Sequence, residues 1–314
     1  MPDITDPPFA RPLRGILSKL ASVLVFIVMQ SMIKATAAHV PAGEAVFFRS
    51  ACAVPVIVTW LAWQGQLATG LRAKQPLGHV WRGLVGTIAM GLGFAGLGYL
   101  PLPEVTAISY ASPLMVVILA AMFLGEEVRI FRISAVALGL VGVLVVLSPR
   151  LSIGVSAGSR EAFGAMVVLG SAMFAALAQV FVRKLVVIES TSAIVFYFSL
   201  TATVLSLVTI PFGWVLPLPS EVFLLVGCGI LGGVGQILLT ASYRDADASL
   251  VAPFDYASMI FSLAIGFFVF GEVPTQVMLS GAALVMIAGI LIIWRERQLG
   301  LERARARRAM TPSG

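Results

Sequence analysis

Charge is scarce in this chain. Only 11% of its 314 residues are charged, against about 25% in an ordinary soluble domain. Too little polar surface is available to cover a water-soluble core of this size. A soluble enzyme, a nucleic-acid-binding domain and a disordered chain are therefore excluded. Cysteine is almost absent too. Cys52 and Cys228 both sit in apolar runs, which rules out a disulfide framework or a cysteine metal site. The two histidines, His39 and His79, are expected in loops and lack zinc-ligand spacing. No G-x-x-x-x-G-K-[ST] sequence is present, so ATP-driven chemistry has no phosphate cradle. One G-x-G-x-x-G match, Gly91 to Gly96, lies inside an apolar run, where a nucleotide fold has no place. No paired carboxylates, histidine cluster or nucleophile–base pair share one depth, which argues against an intramembrane enzyme. No metal or cofactor is expected.

Hydrophobic residues, by contrast, make up 59% of the chain, and its mean hydropathy is +1.00. The apolar runs are continuous rather than alternating, so helices rather than a barrel satisfy the backbone in lipid. A bilayer core needs roughly 20 residues of helix. Ten such spans are read, at about 16–37, 44–64, 80–99, 104–124, 131–148, 162–184, 191–212, 221–242, 249–270 and 276–294. The first also resembles a secretory signal, with Ala35-Thr36-Ala37 near its end. Its length argues for a retained span. The net charge of +6 comes from basic residues between the runs and at the ends. With the N-terminus cytoplasmic, 17 of the 21 Lys and Arg fall inside, among them Lys19, Arg82 and the tail arginines. Only Lys34, Arg49, Arg150 and Arg160 fall outside. The basic tail then serves anionic lipid rather than nucleic acid. Both termini are expected in the cytoplasm of a bacterium.

The chain also repeats itself. Sliding 103–147 onto 249–293 superposes Tyr110-Ala111-Ser112 on Tyr256-Ala257-Ser258 and Gly125-Glu126 on Gly271-Glu272. Five spans per repeat is an odd number, so the second copy enters the membrane from the opposite side. Inverted repeats of this kind mark secondary transporters, with a site near the midplane between them. The expected fold is all-α, with ten transmembrane helices in two inverted five-helix repeats. The expected divisions are an N-terminal segment 1–15, repeats at 16–148 and 162–294, a linker 149–161 and a basic tail 295–314. A channel would show charge rings or a filter sequence instead.

Glu44-Ala45-Val46-Phe47-Phe48-Arg49, Lys74 to Gly83, the two Gly-Glu helix ends and Asp247 to Phe254 resemble the drug/metabolite transporter superfamily. The likeness is nearest to its ten-helix EamA-type branch, which includes S-adenosylmethionine and bacterial riboflavin uptake transporters. It implies alternating access around a central cavity bordered by spans 1, 3, 4, 6, 8 and 9. It implies a small-molecule substrate, membrane lipid as surroundings, a proton or ion as a coupling partner, and a monomer or homodimer. Riboflavin uptake leads. S-adenosylmethionine uptake and amino-acid or drug efflux are the alternatives.

Ionisable groups within spans are the first candidates for the site. Asp255 is the least compensated carboxylate, either a substrate ligand and proton carrier or a structural partner for Arg244. Asp247, just before it, reads as a loop residue or helix cap. Arg49 and Lys34 either face an outer vestibule or are structural, Arg49 then pairing with Glu44 or Glu104. Glu126 and Glu272 either cap helices or gate the two faces. Tyr110 and Tyr256, related by the repeat, offer stacking for a planar solute. Tyr99 and Tyr243 belong either to the cavity or to interfacial belts, and Gln30, Gln179 and Gln236 supply amides for hydrogen bonding. Pro113 and Pro253 are expected to kink spans 4 and 9. The two halves are expected to rock about a cavity lined by Tyr110 and Tyr256, with Gln236 and Asp255 nearby.

Overall fold

The computed structural model describes residues 12–124, 130–151, 159–185, 188–246 and 248–310. Gly125, Glu126 and Asp247 lie outside the described residues, as do the side chains of Tyr243 and Arg244. Ten helical segments cross the molecule. They are α1 (Pro12–Thr36), α2 (Ala42–Trp63), α3 (Pro76–Leu97), α4 in two pieces (Leu102–Ser109 and Ala111–Leu124) and α5 (Ile130–Leu151). The second set is α6 (Ser159–Leu185), α7 (Thr191–Ser206), α8 (Pro219–Asp245), α9 and α10 (Gln276–Met310). α9 comprises a turn of helix at Ala248–Val251, a 3₁₀ turn at Ala252–Tyr256 and an α-helix at Ala257–Phe270. Among the described residues, nine stretches are long and apolar enough to cross a membrane, and Ile133–Pro149 in α5 is shorter.

The breaks follow from local chemistry. Pro113 has no N–H to offer the carbonyl of Ser109, and α4 is interrupted at Tyr110. Pro253 sits at the start of the 3₁₀ turn in α9. α7 begins where the Ser190 hydroxyl accepts the Ala193 N–H at 3.2 Å. α3 begins one turn earlier than expected, with Pro76 in its first turn. That corrects the placement of His79. It is not in a loop but in α3, 2% exposed, with its ring centroid 4.8 Å from that of Tyr197.

Ten crossings bring both chain ends to one side, here called the terminal face. The packing obeys a two-fold rule in which each helix is exchanged with the one five places on. α1 packs on α8 as α6 packs on α3. α2 packs on α8 as α7 packs on α3, and α4 packs on α6 as α9 packs on α1. The match reaches single hydrogen bonds. Ser22 Oγ donates to the Gly235 carbonyl at 3.0 Å, and Ser171 Oγ donates to the Ala89 carbonyl at 2.7 Å. Ser22 and Ser171 stand 149 residues apart, and Ala89 and Gly235 stand 146 apart. Close contacts match as well. Gly83 faces Thr201 as Gly229 faces Cys52, and Gly86 faces Phe198 as Gly232 faces Arg49.

The packed units are therefore not the two halves of the sequence. One block is α3, α4, α6 and α7; the other is α8, α9, α1 and α2. Each draws helices from both repeats. The blocks meet where a helix faces its own counterpart, α2 on α7 and α4 on α9, while α5 and α10 pair beside them. This seam is where expected site residues converge.

Candidate functional site

Tyr110 and Tyr256 meet at the seam. Their ring centroids are 5.0 Å apart with planes at 67°, an edge-on contact, and both side chains are buried. The Tyr110 hydroxyl bonds Ser258 Oγ at 2.6 Å and reaches the Tyr256 carbonyl at 3.3 Å. Ser258 in turn donates to the Asp255 carbonyl at 2.6 Å. The broken backbones of α4 and α9 thus interlock through the repeated Tyr-Ala-Ser sequence. On the other copy, Gln179 Nε2 donates to Ser112 Oγ at 3.2 Å. Tyr256 points its hydroxyl at Gly289 of α10, where a Cβ would overlap it.

Asp255 is not uncompensated. Its Oδ1 lies 2.7 Å from Lys19 Nζ of α1. The lysine is 2% exposed and the carboxylate 51%. Lys19, counted from sequence only toward the cytoplasmic charge, is thus a buried cation inside α1. Arg14 pairs with Asp245 at 3.3 Å nearby. Both pairs join helices of one block. In the other block, Glu189 accepts the Lys74 and Gln75 N–H groups at 2.6 and 2.5 Å and lies 3.5 Å from His79 Nε2. Burial pushes its pKa up, but those donors and the imidazole outweigh burial and hold it below 4.5.

At the opposite face one polar cluster crosses the seam. Lys34 Nζ bonds Glu272 Oε1 at 2.8 Å and donates to the carbonyls of Leu100 at 2.8 Å and Leu97 at 3.3 Å. Glu272 Oε2 accepts the Leu102 N–H at 2.9 Å. Gly271, at φ +66°, turns the chain so that the Glu272 N–H reaches the Gly266 carbonyl at 2.8 Å. One lysine–glutamate pair from the α1/α9 block therefore holds the α3–α4 turn of the other block. Glu44 accepts the Val215 N–H at 3.1 Å, and His39 Nδ1 lies 2.9 Å from Glu221.

The remaining candidates lie elsewhere. Tyr99 is in the turn after α3, its ring 5.5 Å from Phe163 and from the Arg160 guanidinium carbon. Gln236 lines a small pocket with Ile57, Trp60, Ser192 and Thr240, between α2, α7 and α8, rather than joining the tyrosines. Arg49 pairs with neither Glu44 nor Glu104. Its guanidinium carbon lies 5.7 Å from the centre of Phe198 on α7. Arg82, counted from sequence only as a cytoplasmic-side charge at the start of the third span, is in α3, with its guanidinium carbon 4.0 Å from the same ring. Lys19, Arg82, Glu189 and Phe198 were not among the candidates named from sequence. A sequence signal existed for Phe198. Val46-Phe47-Phe48-Arg49-Ser50 aligns with Val195-Phe196-Tyr197-Phe198-Ser199, which sets Phe198 opposite Arg49 in the repeat.

A family model, the EamA-like transporter family, matches residues 13–148 and again residues 162–295. The chain belongs to the EamA-like transporter family. Its two matched stretches are the two copies of the five-helix unit. The chain is 31% identical over 284 residues to the pseudopaline exporter of Pseudomonas aeruginosa, covering 88% of this chain and 95% of that one. It is 28% identical over 297 residues to the riboflavin transporter of Vibrio cholerae, covering 93% and 97%. It is 27% identical over 289 residues to the S-adenosylmethionine uptake transporter of Rickettsia prowazekii, covering 91% and 94%. A crystal structure of a protein 20% identical shares the fold, with a TM-score of 0.65 over 91% of this chain and 98% of the other. This EamA-family protein is thus a multi-pass small-molecule transporter with bacterial transporter relatives, and not an enzyme.

Proposed function

We propose that the protein is a secondary carrier that moves a small metabolite across the bacterial inner membrane by alternating access at the α2/α7 and α4/α9 seam. The observation that carries this reading is two-fold packing together with a lock across the seam. Lys34, Glu272 and Leu102 join the blocks at the face opposite the termini; their repeat counterparts at the terminal face, Glu126 and the Arg183 side chain, lie outside the described residues. A two-fold molecule closed at one end has an alternative of the same topology closed at the other. The Lys and Arg distribution supports cytoplasmic termini, which makes the locked face periplasmic. A reporter fused after Gly314 should read cytoplasmic, and one at Ser156 external; the reverse would invert the assignment.

The solute is a metabolite of the kind its relatives move. A flavin stacked between Tyr110 and Tyr256 requires those rings to part, since they touch in this structure. Asp255, tied to Lys19, is the carboxylate that a coupling proton would reach. The test is counterflow in proteoliposomes with labelled riboflavin, S-adenosylmethionine and amino acids. Saturable uptake accelerated by solute on the far side is expected for a carrier. Linear uptake without that acceleration would mean a channel.

A further inference from the structure

Among the described residues, four cations reach into the helix packing, and two of them have carboxylate partners. Lys19 has Asp255 and Lys34 has Glu272. Arg49 and Arg82 have none among the described residues, although Nε and Nη1 of each are sealed from solvent and without a hydrogen-bond partner. Arg49 is 3% exposed. Both guanidinium groups lie against one ring, Phe198, at 5.7 and 4.0 Å from its centre. A ring face recovers only part of the cost of stripping water from a guanidinium. Two like charges on one ring also repel. The surroundings leave room for close approach. Gly232 lies against the Arg49 guanidinium and Gly86 against Arg82 and Phe198. The pair spans the seam, with Arg49 and Gly232 from one block and Arg82, Gly86 and Phe198 from the other.

We propose that Arg49 and Arg82 form the binding site for an oxyanion group, carboxylate or phosphate, on the transported solute, with Phe198 covering both guanidinium groups until the solute arrives. Four buried donor nitrogens on two planar guanidinium groups suit the oxygens of a carboxylate or phosphate. Because each block supplies one arginine, an anion held by both also draws the blocks together. The site takes its purpose from the carrier reading, but its existence is testable without transport.

The experiment follows thermal unfolding of the purified full chain in neutral detergent. Citrate and riboflavin 5′-phosphate are the oxyanion probes; glycerol and riboflavin are their neutral counterparts. The oxyanions are expected to raise the unfolding midpoint saturably, and the neutral compounds are not. Arg49→Met and Arg82→Met should unfold no lower than wild type without ligand, because each removes an unpaired buried charge. Their half-saturating oxyanion concentration should rise at least about tenfold. Arg49→Lys and Arg82→Lys keep the charge but lose the fork, and should also weaken binding about tenfold with the unliganded midpoint unchanged. The proposal is overturned if no oxyanion stabilises wild type, or if only added phosphatidylglycerol does, which would make this a lipid site. It is equally overturned if the Met or Lys variants respond as wild type does, or if the Met variants lose stability without ligand. Saturable stabilisation without counterflow of any solute would keep the site and remove the carrier. Counterflow indifferent to both arginines would do the opposite.

Discussion

Replacing Glu272 by Gln should open the face opposite the termini. The carboxylate makes two charge-assisted contacts, to Lys34 Nζ at 2.8 Å and to the Leu102 N–H at 2.9 Å. Both partners of the ion pair are largely shielded, at 14% and 15% exposure, so solvent screening is modest. The amide keeps an acceptor oxygen but loses the charge. A hydrogen bond to a charged group is worth about 1 kcal/mol more than a neutral one. Two such contacts lose about 2 kcal/mol, which is about a 30-fold shift in the closed-to-open ratio. A ratio of about 99:1 would fall to about 3:1 on that arithmetic. The reporter is a cysteine at Val105, buried just inside Leu102 on α4, in a background lacking Cys52 and Cys228. Its modification by a membrane-impermeant thiol reagent should accelerate about 20-fold in Glu272→Gln, because the rate follows the open population, which rises from about 1% to about 23% on these ratios. A change of less than threefold would show that the lysine–glutamate pair does not hold this face shut.

Three further outcomes are expected. Asp255→Asn should lower stability by about 1–2 kcal/mol, less than the cost of breaking a fully buried pair because the carboxylate is half exposed; adding Lys19→Met should restore most of it in thermal unfolding, and no recovery would deny the coupling. Glu189 has a depressed pKa, so its contribution is present above 4.5 and lost as the pH falls through the folded-state value. The stability gap between wild type and Glu189→Gln should therefore stand at pH 5 and shrink below pH 4.5, and a constant gap down to pH 3 would contradict the backbone bonds described. Ser22→Ala and Ser171→Ala should each cost about 1 kcal/mol and agree within about 0.5; a cost confined to one serine would mean the two-fold packing is not energetic symmetry.

Span number and the inverted repeat were legible because twenty apolar residues in a row have few other uses. The break in α4 was legible at Pro113, where a backbone donor is missing. The charged residues inside the spans were harder. Lys19 and Arg82 sit within two turns of helix ends, where a basic residue ordinarily snorkels and serves topology. Their burial against Asp255 and Phe198 depends on which helices meet. His79 was hidden by Pro76, a loop residue by habit that here opens a helix. The serine pair was out of reach of an ungapped comparison. The repeat runs at 149 residues through α1/α6 and α2/α7 and at 146 from α3/α8 onward, so one register cannot show both. The exchange of helices between repeats leaves no mark in a linear pattern, and halves were read as moving units where the packing makes mixed blocks.

That the two blocks open one face while closing the other is most directly measured by distance. Spin labels at Gly98 and Val273 bracket the seam at the locked face, and labels at Leu13 and Gln75 bracket it at the terminal face. Electron–electron double resonance on both pairs, in wild type and in Glu272→Gln, should show the first distance lengthening and the second shortening. Lengthening at both faces, or a change at one face with none at the other, would contradict alternating access.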